Sequence, residues 1–157
     1  MTDHLEELQK TWHEEIPISE AMAIEVSDFR NDQLIVSADL KPNINVHGTA
    51  FAGSLYAIAA LCGWGSTWLQ MKRLQADTSI VIAEGHIRYL RPVTERIFAR
   101  CYFDADTHSH SLHQLMESGK ERFELAVEIF HQEEVLANFT GCFAVRLARQ
   151  ATRPQGF

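Results

Sequence analysis

The residues best equipped for chemistry lie in one uncharged stretch, Pro42 to Met71, which contains no Asp, Glu, Lys or Arg. At its head, Asn43-Ile44-Asn45-Val46-His47-Gly48-Thr49 reads as a polar loop. It leads into a small-residue-rich apolar helix from Ala50 to about Leu69. A helix N-terminus presents unpaired N–H groups and a positive dipole end, so the amides near Phe51, Ala52 and Gly53 are candidates to hold an oxyanion. Gly53 carries no side chain where a ligand carbonyl would approach the backbone, and Asn45 offers a neutral donor beside it. Spacing alone equally allows Asn43, Asn45 and Thr49 to be loop and cap residues with structural roles only.

Other reactive side chains are scattered. Arg88 and Arg91 flank Tyr89 and are candidates for binding phosphates, or for a salt-bridged strand end. In His108-Ser109-His110-Ser111-Leu112-His113, His110 and His113 would share a helix face, yet no Cys or carboxylate completes a ligand set, so no metal site is expected. Cys62, Cys101 and Cys142 are odd in number, widely spaced and set in apolar segments. That pattern suggests reduced core thiols in a cytoplasmic protein rather than a disulfide framework. None lies among cationic residues, which argues against a nucleophile.

The elements that must position these groups follow from periodicity. Leu5, Leu8, Trp12 and Ile16 recur at helical spacing, predicting an amphipathic helix from Asp3 to Glu15, ended by Pro17, within an N-terminal region of residues 1–20. Ala21 to Phe29 and Leu34 to Ala38 alternate around Asn31-Asp32, predicting a hairpin. Ser79 to Tyr89 reads as a central strand covered on both faces. Ile80 and Ile82 would face one side, and Val81, Ala83, Ile87 and Tyr89 the other. Arg96 to Phe103 is a further strand, followed by a short polar helix or loop from His108 to Gly119. Phe123, Leu125, Val127 and Ile129 share one face of the next strand. Val135, Ala137, Phe139, Gly141, Phe143, Val145 and Leu147 share one face of the last, with Gln132-Glu133-Glu134 as the turn. Ala148 to Phe157 reads as a flexible tail.

This order predicts one α+β domain over residues 1–157, a curved antiparallel sheet wrapped around one long central helix. A sheet curled around a helix leaves edge strands uncovered, so a homodimer or a dimer of dimers is expected. A net charge of -7, from 14 basic and 21 acidic residues, argues against nucleic acid and anionic membranes as partners. The long apolar helix would reach across a bilayer, but Gly53, Ser54, Gly63, Gly65, Ser66 and Thr67 dilute it, and no membrane association is expected. Met1 to Glu7 is acidic without an apolar core, unlike a signal peptide.

Asn45-Val46-His47-Gly48-Thr49-Ala50-Phe51-Ala52-Gly53-Ser54-Leu55-Tyr56-Ala57, with Ile87-Arg88-Tyr89-Leu90-Arg91-Pro92, resembles the hot-dog fold thioesterases, and most of all the YiiD C-terminal thioesterase domain. The resemblance spans nearly the whole chain in element order, although the specific motif is short. It implies a hydrolase acting on acyl-CoA or acyl carrier protein in fatty acid metabolism. No cofactor is then expected beyond the coenzyme A or phosphopantetheine of the substrate. Members of the His-Gly-Gly type carry an amide side chain six residues before the His and a carboxylate nine after it. Laying His47-Gly48-Thr49 on that motif puts Tyr56 at the acid position. Laying Phe51-Ala52-Gly53 on it puts Asn45 at the amide position and Ala60 at the acid position.

The second register matches two places and starts the helix correctly, but both lack the carboxylate. The resemblance therefore implies an oxyanion hole of Asn45 with the Ala52 or Gly53 amide, and no obvious base. His47 is one substitute, histidine being the side chain whose type most often serves as a base at neutral pH; Glu84 and His86 are others, and Phe51, Tyr56, Glu84, Arg88 and Arg91 are expected around the substrate. Decarboxylation of a malonyl thioester needs the hole and no base, and a non-catalytic acyl-thioester binder needs neither.

Overall fold

In the computed structural model, which describes residues 2–148, helix α1 (Thr2–Glu15) turns Leu8 and Trp12 inward until both are fully buried. They lie against the long helix α3 (Ala52–Arg73) at Gly65, where a side chain would meet the Trp12 ring. Pro17 ends α1 and also begins a short helix, α2 (Pro17–Ala21), because its fixed φ and missing N–H suit a first helical turn.

Six antiparallel strands follow the predicted order: β1 (Ile24–Arg30), β2 (Gln33–Ala38), β3 (Thr78–Tyr89), β4 (Ile97–Tyr102), β5 (Lys120–His131) and β6 (Glu134–Leu147). They form one sheet in the spatial order β1-β2-β4-β5-β6-β3. Asn31 and Asp32 both take positive φ in the β1–β2 turn, as a two-residue hairpin of right-handed twist requires. The alternation read in the last two strands is present from Ala137 onward: Phe123, Leu125, Val127 and Ile129 face the core opposite Phe143, Gly141, Phe139 and Ala137. A register shift between Ile129 and Phe130 pairs Val135 with Phe130, and Leu136 is buried in place of Val135. Helix α4 (Ser109–Ser118) fills the segment expected to be helix or loop, with Leu115 buried.

Two expectations are corrected. First, β3 is an edge strand rather than a central one, paired to β6 alone among the described strands, and most of its residues are exposed. Its β-branched composition suggested two covered faces; within the chain, one long side is open. Second, a bulge between Ile82 and Glu84 inserts an extra residue at Ala83 and reverses the alternation. Ile80 and Ile82 pair with the inward Val145 and Phe143, and after the bulge Gly85, Ile87 and Tyr89 pair with Gly141, Phe139 and Ala137 on that same inner face. Glu84, His86 and Arg88 fall on the outer face.

Helix α3 is wrapped on most of its circumference, from Leu55 and Ile58 to Met71. The flank carrying Ala57, Ala60, Leu61, Trp64 and Trp68 is only half-buried, and it lies beside the open edge: the Trp64 indole donates to the Ile80 carbonyl at 2.9 Å. No helix of the described residues is long and apolar enough to cross a membrane. Of the tail, Ala148 donates its N–H to the Asp77 carbonyl at 2.8 Å, and residues 149–157 lie outside the described ones.

Candidate functional site

The loop before α3 is built around two asparagines. Asn43, on a 3-10 turn (Lys41–Asn43), is buried, and its amide donates to the Met22 and Asp39 carbonyls at 2.8 and 2.7 Å. Its backbone carbonyl accepts from the Phe51 N–H at 2.7 Å, which fixes where the helix begins. Asn45 closes the small hairpin that follows. Its Nδ2 donates to Thr49 Oγ1 (2.9 Å) and the Ala50 carbonyl (3.3 Å), while Oδ1 accepts from the N–H groups of His47 (2.8 Å) and Thr49 (3.2 Å).

The first intrahelical bond of α3 runs from the Leu55 N–H to the Phe51 carbonyl at 3.1 Å. The amides of Ala52, Gly53 and Ser54 therefore have no helical partner, and no side chain caps them. Next to them opens a cleft of about 330 Å³, lined by Asn45, Thr49 and Ala50 on one side, Ala52 and Leu55 from the helix, and Tyr89 to Val93 on the other. The Tyr89 phenol donates to the Ala52 carbonyl at 2.8 Å, and burial, reinforced by the nearby Tyr56 phenol, raises its pKa. Val93 accepts from the Ala50 N–H at 2.8 Å, joining the two rims. Arg91 is the only ionisable side chain of the lining besides that phenol, and its Nε meets Glu134 at 2.9 Å.

The expected residues divide accordingly. Ala52, Gly53, Asn45 and Arg91 meet at or beside the cleft, but two of them are differently employed. Both N–H bonds of the Asn45 carboxamide point into its own loop, so in this geometry it braces the loop rather than donating into the cleft. The space beside Gly53 holds the ring of Phe51, whose Cε1 would stand 2.5 Å from an added Cβ. His47 sits at the exposed loop tip after Val46, which is 95% exposed.

Glu84 and Arg88 do not join the site within the chain. They lie on the outer sheet face, with Glu84 and His86 in a separate cleft shared with Glu124 and Cys142. Tyr56 lies one turn into the helix, edge-on to Phe139 at 5.2 Å, with its hydroxyl against the backbone of Gly85. Asn43 has the structural loop role that its spacing allowed, whereas sequence reasoning missed Tyr89, which was hidden by the parity change at the bulge.

The remaining reactive groups lie away from the cleft. The His108 ring is held by the Asp104 and Glu124 carbonyls and stacks on Phe103. His113 meets Glu117 at 3.2 Å. Among the described residues no three His, Cys, Asp or Glu side chains gather as metal ligands. Burial pushes the Cys101 thiol up to about 12 and raises Cys62 well above its ordinary value, so neither supplies a thiolate near neutrality.

The family model described as "Putative thioesterase (yiiD_Cterm)" matches residues 5–147. A crystal structure of a "putative thioesterase" from Shewanella oneidensis is 42% identical over 92% of this chain and 98% of its own, with a TM-score of 0.83. A protein of unknown function from Chlorobaculum tepidum is 30% identical over 90% of this chain and 93% of its own, at 0.85. At 19% identity, a Pseudomonas aeruginosa protein shares the fold, with 91% of this chain and 95% of its own covered and a TM-score of 0.78.

Proposed function

The chain belongs to the YiiD C-terminal thioesterase family and has its hot-dog fold, and from that premise we propose that it hydrolyses acyl thioesters of coenzyme A or acyl carrier protein. The observation that carries this reading is the row of free amides at Ala52, Gly53 and Ser54, the first of which lines a cleft of about 330 Å³. A thioester carbonyl placed there accepts from fixed N–H groups at a positive helix end, and the interaction strengthens as water attack turns the carbonyl into an oxyanion. Collapse of the tetrahedral intermediate expels the thiolate, which takes up a proton. Arg91 stands at the rim for a phosphate of the substrate, at the cost of its pair with Glu134.

The attacking water needs a proton acceptor, and the cleft lining includes no Asp, Glu or His. His47, exposed at the loop tip, is the one near the site in sequence. The open β3 edge, twelve residues long with Val81 57% and Ile82 38% exposed, favours a homodimer, alone or as half of a dimer of dimers. That would bring a second chain to the half-covered flank of α3 next to the site. The unpaired thiols, two of them buried, support a reducing, cytoplasmic setting.

The lack of a base favours one second reading, decarboxylation of a malonyl thioester. There the C–C bond breaks, carbon dioxide leaves, and the enolate oxygen rests on the same amides until carbon takes a proton from water. A panel of short, long, aromatic and malonyl CoA esters separates the two by mass spectrometry: free CoA and acid mark hydrolysis, whereas acetyl-CoA and carbon dioxide mark decarboxylation. Turnover of none of these, nor of the carrier-protein esters, overturns both and leaves a binding protein.

A further inference from the structure

We infer that the outer face of the sheet carries a binding site for a phosphate-bearing small molecule, at the start of β5 and the end of β6. Lys120 and Arg146 pair directly across the two strands, and Arg122 lies two residues further along the same face. All three are exposed, and they surround a cleft of about 370 Å³, whose lining also includes Glu121, Ala144 and Val145. That volume falls within the range of small-molecule pockets, and a concave site suits a compact anion better than a flat protein surface.

The charges are unusual for this chain. Although it carries a net charge of -7, three of its 14 basic residues converge here. Seven others hold a carboxylate within 4.0 Å, whereas among the described residues Lys120, Arg122 and Arg146 form no salt bridge. Glu121, the only carboxylate of the lining, turns its Oε1 to the Arg122 backbone N–H at 2.8 Å. Like charges directly opposite on a ladder oppose folding, and an anion between them converts that repulsion into attraction. Two guanidinium forks and an ammonium match a phosphate's oxygens, Arg in bidentate fashion. The ligand is a nucleotide, free or as the nucleotide part of a coenzyme A ester, or phosphate itself.

The test is calorimetric titration of the full chain with inorganic phosphate, pyrophosphate, ADP, coenzyme A and 3′-dephospho-coenzyme A, with chloride matching the ionic strength. At least one phosphate ligand binds saturably, and Arg146→Gln weakens it about tenfold or more. The Lys120→Ala, Arg122→Ala, Arg146→Ala triple variant abolishes binding while melting no lower than the parent, because it removes repulsion. A preference for coenzyme A over its 3′-dephospho form identifies the coenzyme, and equal binding of ADP and phosphate identifies a simpler anion; either supports the site. Unchanged affinity in the triple variant, or no saturable binding by any probe, overturns it.

Discussion

The Tyr89 phenol donates to the carbonyl of Ala52 across 2.8 Å, so the last residue of the edge strand is tied to the first residue of α3. Ala52 carries one of the free amides, and Tyr89 therefore controls how the helix start meets the opposite rim of the cleft. Tyr89→Phe removes only this bond. Stability should fall by no more than about 0.5–1.5 kcal/mol, since the bond is solvent-accessible. If the amides form the hole, kcat/KM for acyl-CoA esters should fall more than stability does, up to about 100-fold for a displacement near 1 Å. Equal losses, or unchanged turnover, would reduce Tyr89 to a surface contact.

Asn45 offers a sharper discrimination. Its carboxamide makes four bonds inside the loop, so Asn45→Ala should cost about 1–3 kcal/mol in urea denaturation and lower activity by loosening the loop. Asn45→Asp keeps the acceptor side and loses both donors, and should give an intermediate loss. A donor acting on the substrate would behave differently, with kcat reduced and stability intact.

The contact of Tyr56 with Gly85 predicts a suppressor. A Cβ at position 85 would stand 2.1 Å from Tyr56 Oη and 2.9 Å from Cζ. Gly85→Ala should therefore destabilise by about 1–3 kcal/mol through overpacking, and Tyr56→Phe, which removes the hydroxyl, should recover part of that loss in a double-mutant cycle. Additive effects would show that the strand moves instead.

How far these groups were legible in the sequence differs by element. Helical and twofold periodicity identified α1 and strands β5 and β6, because Leu8 and Trp12, or Phe123 to Ile129, repeat regularly, while the wrapped helix was legible from its lack of charged residues. The helix start was legible from the loop before it. Periodicity could not show that Asn45 spends its amide on Thr49 and Ala50, that Phe51 folds over Gly53, or that Ile87 and Tyr89 change sides at Ala83. Each depends on contacts between particular atoms or on a single inserted residue.

Thiol chemistry gives a pH prediction. Burial raises Cys101 from an ordinary 9.0 to about 12, so the folded chain holds this proton over a range where the unfolded chain releases it. The contribution is fully present below pH 9 and declines as pH rises from 9 toward 12, by at most about 1.4 kcal/mol per pH unit. Cys101→Ser or Cys101→Ala should flatten the alkaline limb of the melting-temperature profile. At pH 8 a thiol reagent should reach Cys62 and Cys101 only on unfolding, with the half-buried Cys142 reacting first. Rapid labelling of all three thiols in the native protein would contradict this.

The bulge at Ala83 works as a phase shift in a two-letter code. Before it, every second residue of β3 addresses the helix; beyond it, the complementary set does. Pairing that residue in regular register instead of bulging it out would exchange the two sets, presenting Glu84, His86 and Arg88 to the interior and sending Gly85, Ile87 and Tyr89 to the outside, whereas deleting it would leave both sets where they are. Whether one residue is bulged or paired thus decides if the strand beside the cleft offers aromatic and apolar groups or charged ones, and moving the bulge along the strand would change the chemistry there without changing a single side chain.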